Sequence, residues 1–243
     1  MNPHLHHNAL GQALGKPLPQ WQAPPVPQRA TLTGRYCRVE PLDATRHAAD
    51  LYAANTLDTS GAGWTYLTAG PFADFAAYQV WVEKAGAGND PLFFAIIDLK
   101  THKAVGVASY MRIDAANGVI EIGSLRFSPL MQRTPVSTES MYLMMRNAFA
   151  VGYRRYEWKC DTFNAPSRAA AQRFGFSYEG VFRQAVVYKS RSRDTAWYSI
   201  IDSEWPAVDA AFTQWLAPEN FDAAGQQRMA LSSLTGPLLK ARG

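Results

Sequence analysis

Between residues 92 and 162 the sequence changes rhythm, and few folds accommodate that change. Three apolar runs, Leu92 to Asp98, Ala104 to Ile113 and Val119 to Phe127, are separated only by short polar connectors. These are Lys100-Thr101-His102-Lys103 and Asp114-Ala115-Ala116-Asn117-Gly118. Links this short, the second carrying Asn-Gly, join antiparallel neighbours. From Val136 to Val151 the period becomes helical through Met141, Leu143, Met144, Ala148 and Phe149, and Gly152 ends it. Tyr156 to Thr162 reads as a strand again. A strand–loop–helix–strand unit over 119–162 is a crossover that returns a parallel strand. A parallel pair attached to an antiparallel meander predicts an α/β (α+β mixed) domain: a central mixed, mostly antiparallel sheet with helices on both faces.

The flanking segments fit one domain. Tyr36 to Pro41 is a short strand, Asp43 caps a helix to about Asn55, and Asp74 to Ala85 reads as a second helix. Ala165 to Phe174 is helical up to Gly175. Tyr178 to Lys189 and Thr195 to Asp202 form a closing strand pair, and a last helix starts near Trp205-Pro206. Residues 1–30 carry six prolines and little apolar periodicity, so they read as a flexible arm. His4, His6 and His7 lie in it without the folded ligand set a metal needs. Residues 31–217 are the expected domain, and 218–243 a tail that drapes over the body or frays.

Composition removes several function classes. Charged residues are 18% and hydrophobic ones 47% of the 243, as in a globular protein rather than a disordered one. No apolar run approaches the ~20 residues that span a bilayer, and no secretory leader is visible. Cys37 and Cys160 cannot build a disulfide framework, and no CxxC or HxxxH spacing suggests a metal. A cytoplasmic location is expected. Net charge is only +4, yet Arg154 to Arg193 holds nine Arg or Lys against Glu157, Asp161 and Glu179. Such a local excess suits an anionic partner such as cofactor phosphates, RNA or an acidic substrate, or is simply a solvated basic face.

The most informative segment is the loop feeding the long helix, Arg126-Phe127-Ser128-Pro129-Leu130-Met131-Gln132-Arg133-Thr134-Pro135-Val136-Ser137-Thr138-Glu139. A helix start presents unpaired amides to an anion, and Gln132, Arg133, Ser137 and Thr138 add side-chain donors. The same residues could equally serve as caps. Neither GxGxxG nor GxxxxGK[ST] occurs, which weighs against dinucleotide and P-loop readings.

The element order, with Gln132-Arg133-Thr134 and Ser137-Thr138-Glu139, resembles the GNAT superfamily of N-acetyltransferases, and its RimJ/RimL-type branch in particular. Further matching stretches are Arg154 to Asp161, Asn164-Ala165-Pro166-Ser167-Arg168-Ala169-Ala170, Phe174 to Arg183, and Arg193 to Ser199. The likeness covers roughly residues 34 to 216. It implies a GNAT-like sheet, acetyl-CoA as cosubstrate and an amine acceptor, either a protein N-terminus or a small molecule. The loop would hold the coenzyme diphosphate through Gln132, Arg133, Thr134, Val136, Ser137 and Thr138. Pro135 stands where the family has its first Gly, and removes one N–H.

The resemblance also implies that the pantetheine arm enters between the strand ending at Phe127 and the strand at Trp158 to Asp161. Backbone groups near Leu125 and Phe127 would face the thioester. Asn164 would bond the pantetheine and Ser167 protonate the leaving thiolate, although both residues also suit plain helix capping. Glu121 alternates with Ile120 and Ile122, and is the candidate base; an exposed strand carboxylate paired to a cation is the other reading. With Arg133, both Arg168 and Arg173 could reach the coenzyme phosphates, a surface role being the default for Arg173. Trp64, Tyr66 and Trp81 belong to the acceptor side, with Trp81 read as core. A homodimer is compatible with these features, a membrane role is not expected, and nucleic acid is disfavoured because no stacking platform interleaves the basic residues. The competing function is a catalytically silent acyl-CoA-binding module whose basic face engages RNA or a protein.

Overall fold

The computed structural model describes residues 6–243; His4 lies outside them. The elements are β1 (His6–His7), β2 (Ala13–Leu14), β3 (Leu32–Thr33), β4 (Cys37–Pro41), α1 (Ala44–Thr56), α2 (Phe75–Ala87), β5 (Leu92–Asp98), β6 (Lys103–Asp114) and β7 (Val119–Phe127). They continue with α3 (Pro135–Ala150), β8 (Arg155–Asp161), α4 (Ala165–Arg173), β9 (Ser177–Tyr188), β10 (Arg191–Ile201), α5 (Trp205–Leu216) and α6 (Leu231–Thr235). Eight strands form one sheet in the order β3-β4-β5-β6-β7-β8-β10-β9. Every neighbouring pair is antiparallel except β7 and β8, which run parallel across the α3 crossover.

Strand alternation sorts the core into two layers. Phe93, Ala95, Ile97 and Val107 face α1 and α2. Phe94, Ile96, Tyr110, Ile120 and Ile122 face the other way, against Met141, Met144 and Met145 of α3 and Phe212 of α5. Each such buried side chain contributes about 1.5–3 kcal/mol. The α1–α2 cluster draws its sheet residues from β5 and β6 alone. On that same face β7 and β8 carry Glu121, Glu157 and Lys159, so the sheet offers a polar floor beside the helices. Among the described residues, no helix is long and apolar enough to cross a membrane.

Three features depart from the expectations or decide between them. First, β10 begins at Arg191, four residues early, because the hairpin turns on Lys189 and Ser190 alone, at φ 47° and 58°. Two consecutive left-handed residues make a tight hairpin turn usually signalled by Gly or Asn, and that signal is missing here. Second, the tail does not fray: Leu231 and Thr235 are fully buried, and Tyr178 donates its amide to Ala241 O at 3.2 Å. Third, the arm is pinned where Trp21 donates its indole N–H to Ala116 O at 3.0 Å, and Pro24 and Pro27 are buried.

Candidate active site

The geometry of the site follows from the pairing of β7. It matches β8 in parallel register only from Val119 opposite Arg155 to Ile122 opposite Trp158. Beyond Ile122 the two strands have no ladder in common, and the β8-facing backbone groups of residues 123–127 lack a strand partner. On its other side β7 carries a bulge, with Ser124 and Leu125 opposing the single residue Ala108. Ser124 is left-handed, at φ 51°, and the extra residue bends β7 away from β8. A gap between strands results, flanked by Leu125 and Phe127 on one side and by the end of β8 on the other.

The loop after β7 folds on itself. Gln132 donates Nε2–H to Phe127 O at 2.8 Å, Thr134 donates Oγ1–H to Met131 O at 2.8 Å, and Ser137 donates its hydroxyl to Thr134 O at 2.8 Å. The predicted side-chain donors Gln132 and Ser137, and Thr134 with them, are therefore engaged within the loop. Helices α1, α2 and α4 begin with side-chain caps from Asp43, Asp74 and Asn164, whereas Thr134 makes no capping bond to α3. First-turn amides such as those of Val136 and Ser137 thus lack a side-chain acceptor, at the positive end of a sixteen-residue helix. Pro135 at N1 costs little, because its missing N–H would have been one of the orphans. Arg133 is exposed beside them, at φ 59°.

Arg173 proves not to be a surface residue. It is half-buried, and both terminal guanidinium nitrogens donate to Thr138 Oγ1 at 3.1 Å in the first turn of α3. Its guanidinium carbon lies 5.3 Å from the Phe174 ring centre and 5.4 Å from that of Trp215. Among the described residues no carboxylate pairs with it, and burial pulls its pKa down with no opposing influence. A desolvated cation beside uncapped amides suits a phosphate group. The contact with Thr138 could not be read from the sequence, since a basic residue in a last helical turn reads as complementing the helix dipole. Arg168 points elsewhere: it donates to Thr162 O at 3.2 Å and to Tyr198 Oη at 3.4 Å.

At the far end of the gap, Asn164 caps α4 by accepting Ser167 N–H on Oδ1 at 3.2 Å. Ser167 Oγ accepts the Trp158 indole N–H at 3.0 Å. Indole nitrogen can only donate, so the serine keeps its own proton available. Burial is the main cause of the raised pKa of the nearby Cys160 thiol, with Ser167 acting in the opposite direction.

Glu121 is 2% exposed rather than open to solvent. Arg112 donates to Oε1 at 2.6 Å, and Lys159 Nζ lies 2.9 Å from Oε2 and 2.7 Å from Glu157 Oε2. Arg112 reaches it from a second bulge, on β6, at φ 48°, where Asp90 accepts the amides of Arg112 and Ile113. Burial, the larger influence, raises the Glu121 pKa, while Lys159 and Arg112 hold it back. Part of the basic excess over 154–193 is thereby consumed: Lys159 and Arg155 are both neutralised by glutamates.

The region around Trp64 and Tyr66 is closed by three contacts the sequence did not announce. Tyr66 donates to Phe163 O at 3.1 Å, Tyr188 donates to Asp161 Oδ2 at 2.9 Å, and Lys189 donates to Trp64 O at 2.8 Å. Behind them a cavity of about 50 Å³ is lined by residues including Trp64, Trp81, Phe93, Ser124 and Arg126. Trp64 is buried under the Arg126 guanidinium, 4.7 Å away, and Arg126 pairs with Asp58 at 3.1 Å. Trp81 packs half-buried against Phe93 and Phe72.

Comparison with known proteins agrees with this architecture. The model of the acetyltransferase (GNAT) domain matches residues 38–177. A GCN5-related N-acetyltransferase from Brucella melitensis is 50% identical, with 90% of this chain and 100% of that one covered at a TM-score of 0.88. A probable acetyltransferase of the GNAT family from Chromobacterium violaceum is 40% identical, covering 81% and 98% of the two chains at 0.75. The RimL ribosomal L7/L12 alpha-N-protein acetyltransferase shares the fold at 20% identity and a TM-score of 0.60, over 71% of this chain and 94% of that one. A comparison with curated proteins finds no match. With more than half its length under the domain model and a half-identical structural relative, this chain belongs to the GNAT family of acetyltransferases.

Proposed function

We propose that the protein transfers the acetyl group of acetyl-CoA to a primary amine by direct attack in a ternary complex. The observation that carries this reading is the separation of β7 from β8 after Ile122 and Trp158, with an uncapped α3 start at its head. Such a gap offers unpaired main-chain groups to an extended, amide-bearing arm, and the helix start offers amides to a diphosphate. The residues assigned to the coenzyme are the main chain at Leu125, Phe127, Gln132, Arg133, Thr134, Val136, Ser137 and Thr138, with the Asn164 amide nitrogen. To these we add Arg173, which takes the phosphate role in place of Arg168.

In the reaction the amine nitrogen attacks the thioester carbonyl, the new C–N bond forms and the C–S bond breaks. The departing sulfur takes a proton from the Ser167 hydroxyl, which the Trp158 contact leaves free to donate; the serine regains a proton from water, and Glu121 afterwards returns the amine's proton to solvent. Backbone N–H groups of the β7 bulge are the donors for the carbonyl oxygen as negative charge develops. The ammonium proton leaves toward Glu121, the only acid in β7. A carboxylate kept from water and raised in pKa is a better base than an exposed one. Its two cationic neighbours prevent the pKa from climbing further.

The test is turnover of acetyl-CoA with a panel of N-terminal peptides and small amines, read as free thiol released with matching acetylated amine. Coupled release of both is expected. Tight CoA binding with no turnover on any amine would overturn the enzyme reading in favour of a silent binding module.

A further inference from the structure

The geometry points to the C-terminal segment, residues 218–243, as the device that positions Arg173 for the coenzyme diphosphate. This rests on the acetyl-CoA reading above. That segment holds Arg173 directly at its backbone and, through Trp215 of α5, indirectly at its side chain. At its backbone, the fully buried Thr235 shares its single Oγ1–H between Arg173 O at 2.9 Å and Leu231 O at 3.1 Å. At its side chain, the guanidinium lies over Trp215, and Trp215 is in turn fixed by the tail. Its indole N–H donates to Gln227 Oε1 at 2.9 Å, and its ring meets Phe221 edge-on at 5.1 Å. Asn220 donates Nδ2–H to Trp215 O at 2.9 Å. Beyond Thr235 the segment is tied down again, where Lys240 donates its amide to Ser177 Oγ at 2.9 Å.

A long arginine has several rotors, and holding it in one place costs conformational entropy that must be met elsewhere. Here the aromatic platform and the carbonyl tether meet it before any ligand arrives, which is preorganisation in the sense that raises affinity. Thr235 and Gln227 touch no part of the proposed ligand. They are positioning residues, and their effect should appear only with ligands that carry the diphosphate.

The experiment uses the full chain with Thr235→Val, Gln227→Ala and Arg173→Ala. Calorimetric Kd is measured for CoA and for pantetheine, and KM for acetyl-CoA and for S-acetylpantetheine, which lacks the diphosphate and nucleotide. Loss of a hydrogen bond or platform should weaken CoA by about fivefold, and loss of the charged group itself by tenfold or more. Pantetheine affinity and kcat should be unchanged in Thr235→Val and Gln227→Ala. Adding either change to Arg173→Ala should cost nothing more, as expected for residues acting through one group. Undiminished CoA affinity in both tail variants, or equal losses for CoA and pantetheine, would overturn the assignment. A wild-type chain that binds CoA without turnover sinks the proposed reaction but leaves this test intact. One that binds no CoA sinks both.

Discussion

The two halves of β7 have the same neighbours in sequence and opposite fates. Val119 to Ile122 is held on both sides, by β6 and β8, and its Ile120 and Ile122 are buried against α3. Gly123 to Phe127 is held only on the β6 side and carries the bulge at Ser124. The first half is wall and the second is opening. Regular pairing satisfies backbone groups and leaves them unavailable, so a strand can offer its main chain to a ligand only where a ladder has been given up. Glu121 sits at the junction, with its backbone in the wall and its carboxylate on the polar face beside the opening.

The sharpest way to break this contrast is to damage the wall alone. Ile120→Ala should cost about 2–5 kcal/mol of stability, through lost transfer energy and a cavity, as read by denaturant unfolding. KM for acetyl-CoA of the remaining folded enzyme should not change; a large rise would show the halves to be coupled. Damage on the opening side should do the reverse. Ser167→Ala is expected to lower kcat by about 100-fold and leave the melting temperature near that of the wild type. An unchanged kcat would remove the serine from the reaction.

Glu121→Gln probes the junction, with a loss of about tenfold in kcat/KM, roughly 1.4 kcal/mol of barrier. The sign of its pH dependence follows from burial. The folded pKa lies above the ordinary carboxylate value, so the fold holds this proton more tightly than the unfolded chain does. Its contribution to stability is complete at pH below the unfolded pKa and is lost as pH rises through the folded one. The base must be ionised to act, so activity falls on the acid side of that same pKa. The glutamine variant should flatten both the acid limb of kcat/KM and the matching slope of stability. A limb that persists would assign it to another group. The smallest effect is expected from Arg112→Ala. Removing a cation that holds the pKa down should move the acid limb to higher pH by up to about one unit; a shift to lower pH would contradict the proposed electrostatics.

Much of this was legible in the chain. Element order, the parallel crossover and the caps at Asp43 and Asn164 follow from periodicity and local chemistry, because the interactions responsible span a few residues. The β9–β10 turn was misplaced for the same reason inverted: Lys189 and Ser190 adopt left-handed conformations that their types do not announce. In the site, the loop and the Asn164–Ser167 pair were visible as a pattern. The conversion of Gln132, Thr134 and Ser137 into internal donors was not, since each finds its acceptor only when the loop closes. For Arg173 the default surface reading fails because its partner, Thr138, lies 35 residues away.

What the amino acids fix unaided is therefore the succession of strands and helices and the position of the helix whose first turn lacks a cap, since propensity, capping and alternation act locally. Folding in three dimensions settles where β7 parts from β8, which cation stands over the α3 start, and how the final twenty-six residues pin it. These depend on register, bulges and burial, which come from contacts between segments far apart in the chain, and no local pattern encodes their geometry.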